Sequence, residues 1–243
     1  MTARRLVAAL ALAVLAGGVA AAQPAAPEVS AHVLPNGVRV LIREEASAGV
    51  VAVSLQVLGG ARLETAATSG ITNFLHRAML RGTARRTGEQ LVEAAERLGG
   101  TVEASGDADH AEVRGAALAR HWEDLLGLVA EVALRPTLPA EEVERERRLI
   151  LGQIQTRADT PFRLAFDTLL AELYGPHPYA RPSGGRRQSV AGITREGLAS
   201  HHRALYRADR IVLAVSGRLE RDRVRRAVER LFGEAPAAGP GQA

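Results

Sequence analysis

The chain contains no cysteine and no lysine, and aromatic residues make up only 3% of its 243 residues. Without a thiol it forms no disulfide, thiolate-bound zinc, iron–sulfur cluster or cysteine nucleophile. Without lysine, its 31 basic residues are all arginine, set against 27 acids for a formal charge of +4. Arginine does not titrate below about pH 12, so the basicity is a small excess of a permanent cation, not a strongly basic surface. Such arginine usage beside heavy Ala, Gly and Leu fits a genomic composition bias. Long apolar runs are lacking too: Leu6–Leu15 is uninterrupted for about ten residues, half of the ~20 that a membrane span needs. What is present is a 47% hydrophobic share, which excludes a disordered or collagen-like chain and allows one domain or two small ones.

The two ends read differently from the rest. In residues 1–22, MTARRLVAALALAVLAGGVAAA, Arg4 and Arg5 precede the apolar run, and Ala20-Ala21-Ala22 precede Gln23. This is a secretory signal peptide pattern, so a periplasmic or secreted location is expected. Cleavage after Ala22 leaves 221 residues with a net charge of +2. Nucleic-acid binding needs clustered cations, so no nucleic-acid partner is expected, and no stable membrane span. Residues 23–30, QPAAPEVS, read as a flexible leader, 31–233 as the folded domain, and 234–243 as a linker-like tail.

Within the domain, HVLPNGVRVLIR (32–43) places a Pro-Asn-Gly turn before an apolar strand, and VVAVSLQVL (50–58) is a second strand. Apolar spacings of three and four predict a helix over 68–80 and another over 87–98, the latter opened by a Thr87/Gln90 capping box and closed by Gly99. Strands follow at 101–105 and 111–118, joined around Gly106-Asp107. Helices are predicted near 120–133, 139–157 and 162–173, then a loop over 176–187, a helix over 195–206, a strand over 211–216 and a helix over 221–232. The strands are too few and too irregularly spaced for a doubly wound parallel sheet. The fold class is α+β: one mainly antiparallel sheet covered by helices.

The most informative stretch is GITNFLHRAMLRGT, residues 70–83. A zinc hydrolase site on a helix needs two ligands one turn apart and a carboxylate beside them as base. Phe74, Leu75 and Met79 lock such a helix into a core, leaving Asn73, His76 and Arg77 to face a cleft. This segment resembles the inverted zinc motif, His-x-x-Glu-His, of the pitrilysin and mitochondrial-processing-peptidase family of metallopeptidases. The resemblance continues through VLPNGVRVLI, GEQLVEAAERLGGTVEAS, EEVERERRLILGQIQ, LYGPHPYARPSGG, VAGITREGLASHHRALYRADRIVLAVSG and VERLFG, in order over about 200 residues. It implies the fold of a processing-peptidase half-domain.

Position by position, the resemblance implies that Asn73 stands for the first zinc His, His76 for the catalytic Glu, Arg77 for the second His and Gln153 for the third ligand. Glu146 is the supporting carboxylate that is retained. Asn and Gln are weak neutral donors, and Arg77 puts a fixed positive charge where a dication should sit. Neither a catalytic residue nor a metal ligand is therefore assigned, and zinc, though the family's metal, is not expected here. Asn73, His76 and Arg77 read as polar residues on a half-exposed helix face. Their functional alternative is that Arg77 and Asn73 hold a peptide backbone or carboxylate. His76 pairing with Glu146 is a further possibility.

Other candidates read blandly. Asp107, Asp109 and His110 lack the remaining ligands of a calcium loop. His201 and His202 are adjacent on a helix and point apart, His177 reads as packing or capping, and Gly184-Gly185-Arg186-Arg187 lacks the context of a phosphate loop. Members of the family are clamshells of two homologous halves with peptide between them. The resemblance therefore implies an exported, non-catalytic homologue that assists peptide binding or proteolysis by a zinc-bearing partner subunit or second domain. The alternatives are an active zinc metalloendopeptidase with an atypical ligand set, such as His76 with Glu146, and a stand-alone peptide-binding scaffold. Residues 233–243 stand where the family's first domain gives way to its linker, leaving open a chain that must associate and a piece of a two-domain protein.

Overall fold

Alternation in the strand sequences requires one face of the sheet to be buried and the other left to small and polar side chains. The computed structural model describes residues 28–237. The expected signal peptide, most of the expected leader and the last six residues lie outside them. Six strands form one sheet: β1 (Val29–Val33), β2 (Arg39–Glu44), β3 (Val50–Leu58), β4 (Thr101–Gly106), β5 (His110–Leu118) and β6 (Ile211–Gly217). Their order is β1-β2-β6-β3-β5-β4, and only β2 and β6 pair in parallel. The predicted mainly antiparallel sheet is therefore present.

In β3, Val51, Val53, Leu55 and Val57 are buried, while Ala52, Ser54 and Gln56 point to the open face. Val53 lies between Gly115 of β5 and Val215 of β6, which fixes the register of the sheet's centre. The helices are α1 (Ile71–Met79), α2 (Gly88–Arg97), α3 (Trp122–Leu134), α4 (Ala140–Ala158), α5 (Pro161–Tyr174), α6 (Arg187–Gly192), α7 (Arg195–Leu205) and α8 (Arg221–Phe232). The largely buried α3 packs on β3 and β5, with α8 beside it on β2. α1 packs between β4, α4 and α7. One apolar core, including Phe74, Leu75, Met79, Leu126, Leu198 and Phe232, joins both groups to the sheet.

The Thr87 capping box is formed: Gln90 N donates to Thr87 Oγ1 at 3.3 Å and Thr87 N donates to Gln90 Oε1 at 3.0 Å. Three boundaries differ from those expected. β1 begins at Val29, inside the stretch read as leader, because it forms the edge of a hairpin with β2. The hairpin turns at Gly37, whose φ of +101° favours glycine. The segment after α8 also stays on the domain: Ala235 is buried, Ala208 N donates to Pro236 O at 2.8 Å, and Asn36 Nδ2 donates to Phe232 O at 2.8 Å. Finally, the short helix α6 follows directly on a segment read as loop.

Candidate functional site

The helix α1 has no Ser, Thr, Asp or Asn at its N-cap, which is Gly70 at φ +90°. Glu64 does that work from outside: its carboxylate accepts from Gly70 N at 2.7 Å and Thr72 N at 2.9 Å. A negative group suits the positive end of the helix, although burial pushes the Glu64 carboxyl above its ordinary range. Gly70 is needed for a second reason. A Cβ there would lie 2.6 Å from Gly185 Cα, so two glycines allow the 182–186 loop to close over the start of α1. Ser189 Oγ fastens that closure, donating to Ser69 O at 2.7 Å. Gly185 is buried, not part of a loose basic loop.

His76 departs from the expectation that it faces the cleft. It is fully buried, and both ring nitrogens are engaged. Nδ1 donates to the Thr72 carbonyl at 2.7 Å, since a carbonyl only accepts, which leaves Nε2 to accept from the Tyr206 hydroxyl at 2.7 Å. Burial holds the ring neutral, with its pKa lowered to about 4. Pairing with Glu146 does not occur. His201 and His202 lie in the same region and point apart, as expected. His201 Nε2 is 3.0 Å from Thr72 Oγ1, and His202 Nε2 donates to Ala133 O at 2.8 Å while its ring stacks on Tyr206. Burial lowers both, His201 to about 4.

Arg77, one residue on, points the other way. Its Nε donates to Glu146 Oε2 at 2.8 Å and its Nη1 to Gln153 Oε1 at 2.6 Å. Arg81, one turn further, donates from Nε to Glu146 Oε1 at 2.7 Å. The spacing explains the match: Arg77 is on the last turn of α1, Arg81 follows just beyond its C-cap, and 146 and 153 lie two turns apart on the facing side of α4. Glu146 is completely buried and both its oxygens are occupied by guanidinium groups. Asn73, Arg77 and Gln153 line a cleft of about 510 Å³, closed on one side by Gly184 and Gly185 and on another by Arg157 and Arg163. Neither His76 nor Glu146 lines it. The structure thus brings Asn73, Arg77, Gln153 and Glu146 to one place and withdraws His76 into the core.

The remaining polar candidates have structural partners. Asp109 accepts from the Tyr179 hydroxyl at 2.6 Å, Asp107 accepts from Ala108 N at 2.6 Å, and His177 Nδ1 accepts from Tyr179 N at 3.2 Å. His177 is therefore a cap, and a hydroxyl ties its loop to the start of β5. Among the described residues, no group of three or more His, Asp or Glu side chains is arranged to hold a metal ion. No described helix is long and apolar enough to cross a membrane.

A mostly antiparallel sheet backed by helices thus carries a polar cluster between α1 and α4, with the Arg77 guanidinium between Glu146 and Gln153. Residues 39–186, more than half of the chain, match the family described as insulinase (peptidase family M16), and residues 192–243 match the peptidase M16 inactive domain. The chain belongs to this family. It is 32% identical over 200 residues to an uncharacterized zinc protease of Mycobacterium leprae, covering 82% of this chain and 45% of that protein. It is 30% identical over 207 residues to a probable mitochondrial-processing peptidase subunit beta of Arabidopsis thaliana, covering 85% and 39%. The chain thus spans less than half the length of these relatives. A crystal structure of a peptidase M16 inactive domain from Pseudomonas fluorescens superimposes with a TM-score of 0.81 at 25% identity, covering 87% of this chain and 52% of that one. A Helicobacter pylori protease shares the fold, with a TM-score of 0.83 at 21% identity and coverage of 89% and 52%. The two matched stretches of this chain are not separate in space, since β6 from the second lies at the centre of the sheet.

Proposed function

We propose that this chain is a non-catalytic peptidase homologue that binds peptide and assists proteolysis by a zinc-bearing subunit or domain, outside the cytoplasm. The observation that carries it is the Arg77 guanidinium held between Glu146 and Gln153. Zinc needs deprotonated or neutral ligands with free lone pairs, and these residues do not fit it. Arg77 is a permanent cation, both Glu146 oxygens accept from arginines, and both His76 nitrogens are committed. An active site built on His76 and Glu146 would have to break all of these bonds. The export part of the reading is supported by the residue 1–22 pattern alone.

Association is supported by α5, which has no buried residue yet carries Phe162, Leu164, Phe166, Leu169 and Leu173 largely exposed, Phe162 at 76%. Apolar surface of that extent on a water-facing helix marks an interaction face. It is also supported by the solved relatives, in which this fold accounts for about half of each chain.

The test is reconstitution. The full chain is purified alone and with a homologue that carries an intact His-x-x-Glu-His, and peptide hydrolysis and bound zinc are measured. The expected result is no stoichiometric zinc and no hydrolysis from this chain, and faster hydrolysis by the mixture than by the homologue. Zinc at one equivalent, with hydrolysis abolished by Glu146→Gln, overturns the reading. Peptide binding with no effect on any such homologue assigns a stand-alone scaffold instead.

A further inference from the structure

The cleft beside Arg77 continues past Ile154, Pro182 and Gly185 into a second groove of about 360 Å³ along α5. Five arginines line the two together, Arg77, Arg157, Arg163, Arg186 and Arg187, and among the described residues Asp167 is the only acid in either lining. In a chain whose formal charge is only +4, this is a local concentration of one sign. The pairing is uneven. Arg157 is neutralised by Asp167, with Nε donating to Oδ2 at 2.6 Å. Arg77 and Arg81 share the single charge of Glu146. Arg187 reaches only the neutral Gln155, and the exposed Arg163 and Arg186 side chains have no ion-pair partner among the described residues. Asp159, at the end of α4, accepts from Gln155 and lies outside both linings.

The donors are as one-sided as the charge. Arg77 Nη2, the Gln153 amide nitrogen and the Asn73 side chain have no hydrogen-bond partner among the described residues, while the Gln153 oxygen is already taken by Arg77. Ile150, Ile154 and Pro182 line the same cleft, adding apolar surface among the N–H groups. Guanidinium forks match planar carboxylates in two-point contact, and interspersed amides and apolar surface suit an extended backbone better than a bare inorganic ion.

We propose that this groove takes a peptide through a carboxylate, seated at Arg77 and drawn in by Arg163, Arg186 and Arg187. The proposal rests on the peptide-binding reading above and adds the chemical class of the ligand. The carboxylate comes either from an Asp or Glu side chain or from a C-terminus.

The test uses the purified full chain and three labelled alanine–serine decapeptides in fluorescence-anisotropy titrations. One carries two internal glutamates and an amidated C-terminus, one is neutral with a free C-terminus, and one is neutral and amidated. A carboxylate-bearing peptide is expected to bind about tenfold more tightly than the neutral amidated one at low salt, an advantage that shrinks as added salt shortens the Debye length below about 10 Å. The double variant Arg163→Gln/Arg187→Gln, at two exposed positions that leave the fold intact, is expected to lose most of that advantage with an unchanged melting temperature. Preference for the first peptide assigns a side-chain carboxylate, and preference for the second a terminus. Equal binding of all three, unaltered by the double variant, overturns the carboxylate assignment and leaves peptide binding standing. Binding of none overturns both. Displacement of the acidic peptide by inorganic phosphate at concentrations where free glutamate has no effect also overturns it, in favour of a phosphate-bearing ligand.

Discussion

Acidification from pH 7.5 to 5 should destabilise this protein by several kcal/mol through its buried histidines alone. His76 and His201 titrate at about 4 in the fold against 6.5 in the free side chain, because burial disfavours their charged forms. A folded pKa below the unfolded one means that the unfolded chain binds more protons throughout that interval. The stability from each ring is complete above 6.5 and is lost as pH falls from there towards 4. Proton linkage gives a loss of about 2 kcal/mol per ring between pH 7.5 and 5, hence about 4 kcal/mol for the two. His202, lowered for the same reason, adds to the loss. Glu64 acts in the opposite direction, since its raised pKa lets the fold take up a proton first. Glu45 and Glu144 are lowered, so their contributions are lost only below about 4.5, outside this window.

The assay is urea unfolding at both pH values. With a slope of about 2 kcal/mol per molar for a chain of this size, the midpoint should fall by up to about 2 M. His201→Asn should remove about 2 kcal/mol of that pH dependence while leaving the fold intact, because the Thr72 hydroxyl is its one hydrogen-bond partner among the described residues. Equal midpoints at pH 7.5 and 5, or a His201→Asn variant as steep as its parent, refute the reasoning.

Two further outcomes follow from the closure around α1. Glu146→Ala leaves Arg77 and Arg81 facing one another without their shared carboxylate; both are partly solvated, which limits the cost to about 3 kcal/mol, or a fall of about 10 °C in thermal unfolding. A change under 2 °C would mean that the pair of guanidinium contacts does not hold α1 to α4. Gly185→Ala places a Cβ 2.4 Å from Ser69 O at φ +80° and should cost about 2 kcal/mol and speed proteolysis of the 176–187 loop, whereas Gly184→Ala, with open space around it, should be silent. Equal cleavage of both variants would show that the Gly70–Gly185 approach does not seat the loop.

The sheet and most helices were legible because their signals are local. β3 and β6 alternate, α2 carries both halves of its capping box, and α8 runs over the residues 221–232 that its spacing gives. The first two residues of β1 were read as leader because VSAHV is short and edges the sheet, pairing with β2 alone. α6 was hidden by flanking glycines, and its place is set by contacts with α4, including Arg147 Nη1 donating to Val190 O at 2.5 Å. At the site, positions 73 and 77 were placed by helical spacing, whereas 146 and 153 came from the family resemblance alone. His76 was misplaced because the partner that fixes it, Tyr206, lies 130 residues away. The arginine-lined groove had no local signal, being assembled from α1, the end of α4, the start of α5 and a loop.

The polar residues between α1 and α4 form a balanced set, and that balance is why no single substitution should make a metal site there. Glu146 is fully buried, so it needs cationic partners wherever the chain finds them. Arg77 and Arg81 supply two, and Gln153 offers Arg77 an oxygen without a second negative charge. Introducing one ligand, as in Arg77→His, removes a guanidinium from both Glu146 and Gln153 yet adds only one imidazole beside an amide at 153 and an amide at 73. Such a variant loses its helix-to-helix tie without gaining the three ligands that zinc requires. On the proposed reading, building a zinc site here would mean changing positions 73, 76, 77 and 153 together, and at 76 drawing out a residue whose ring nitrogens are bonded inside the core. The guanidinium cluster therefore ties α1 to α4, and the groove beside it is lined for anions.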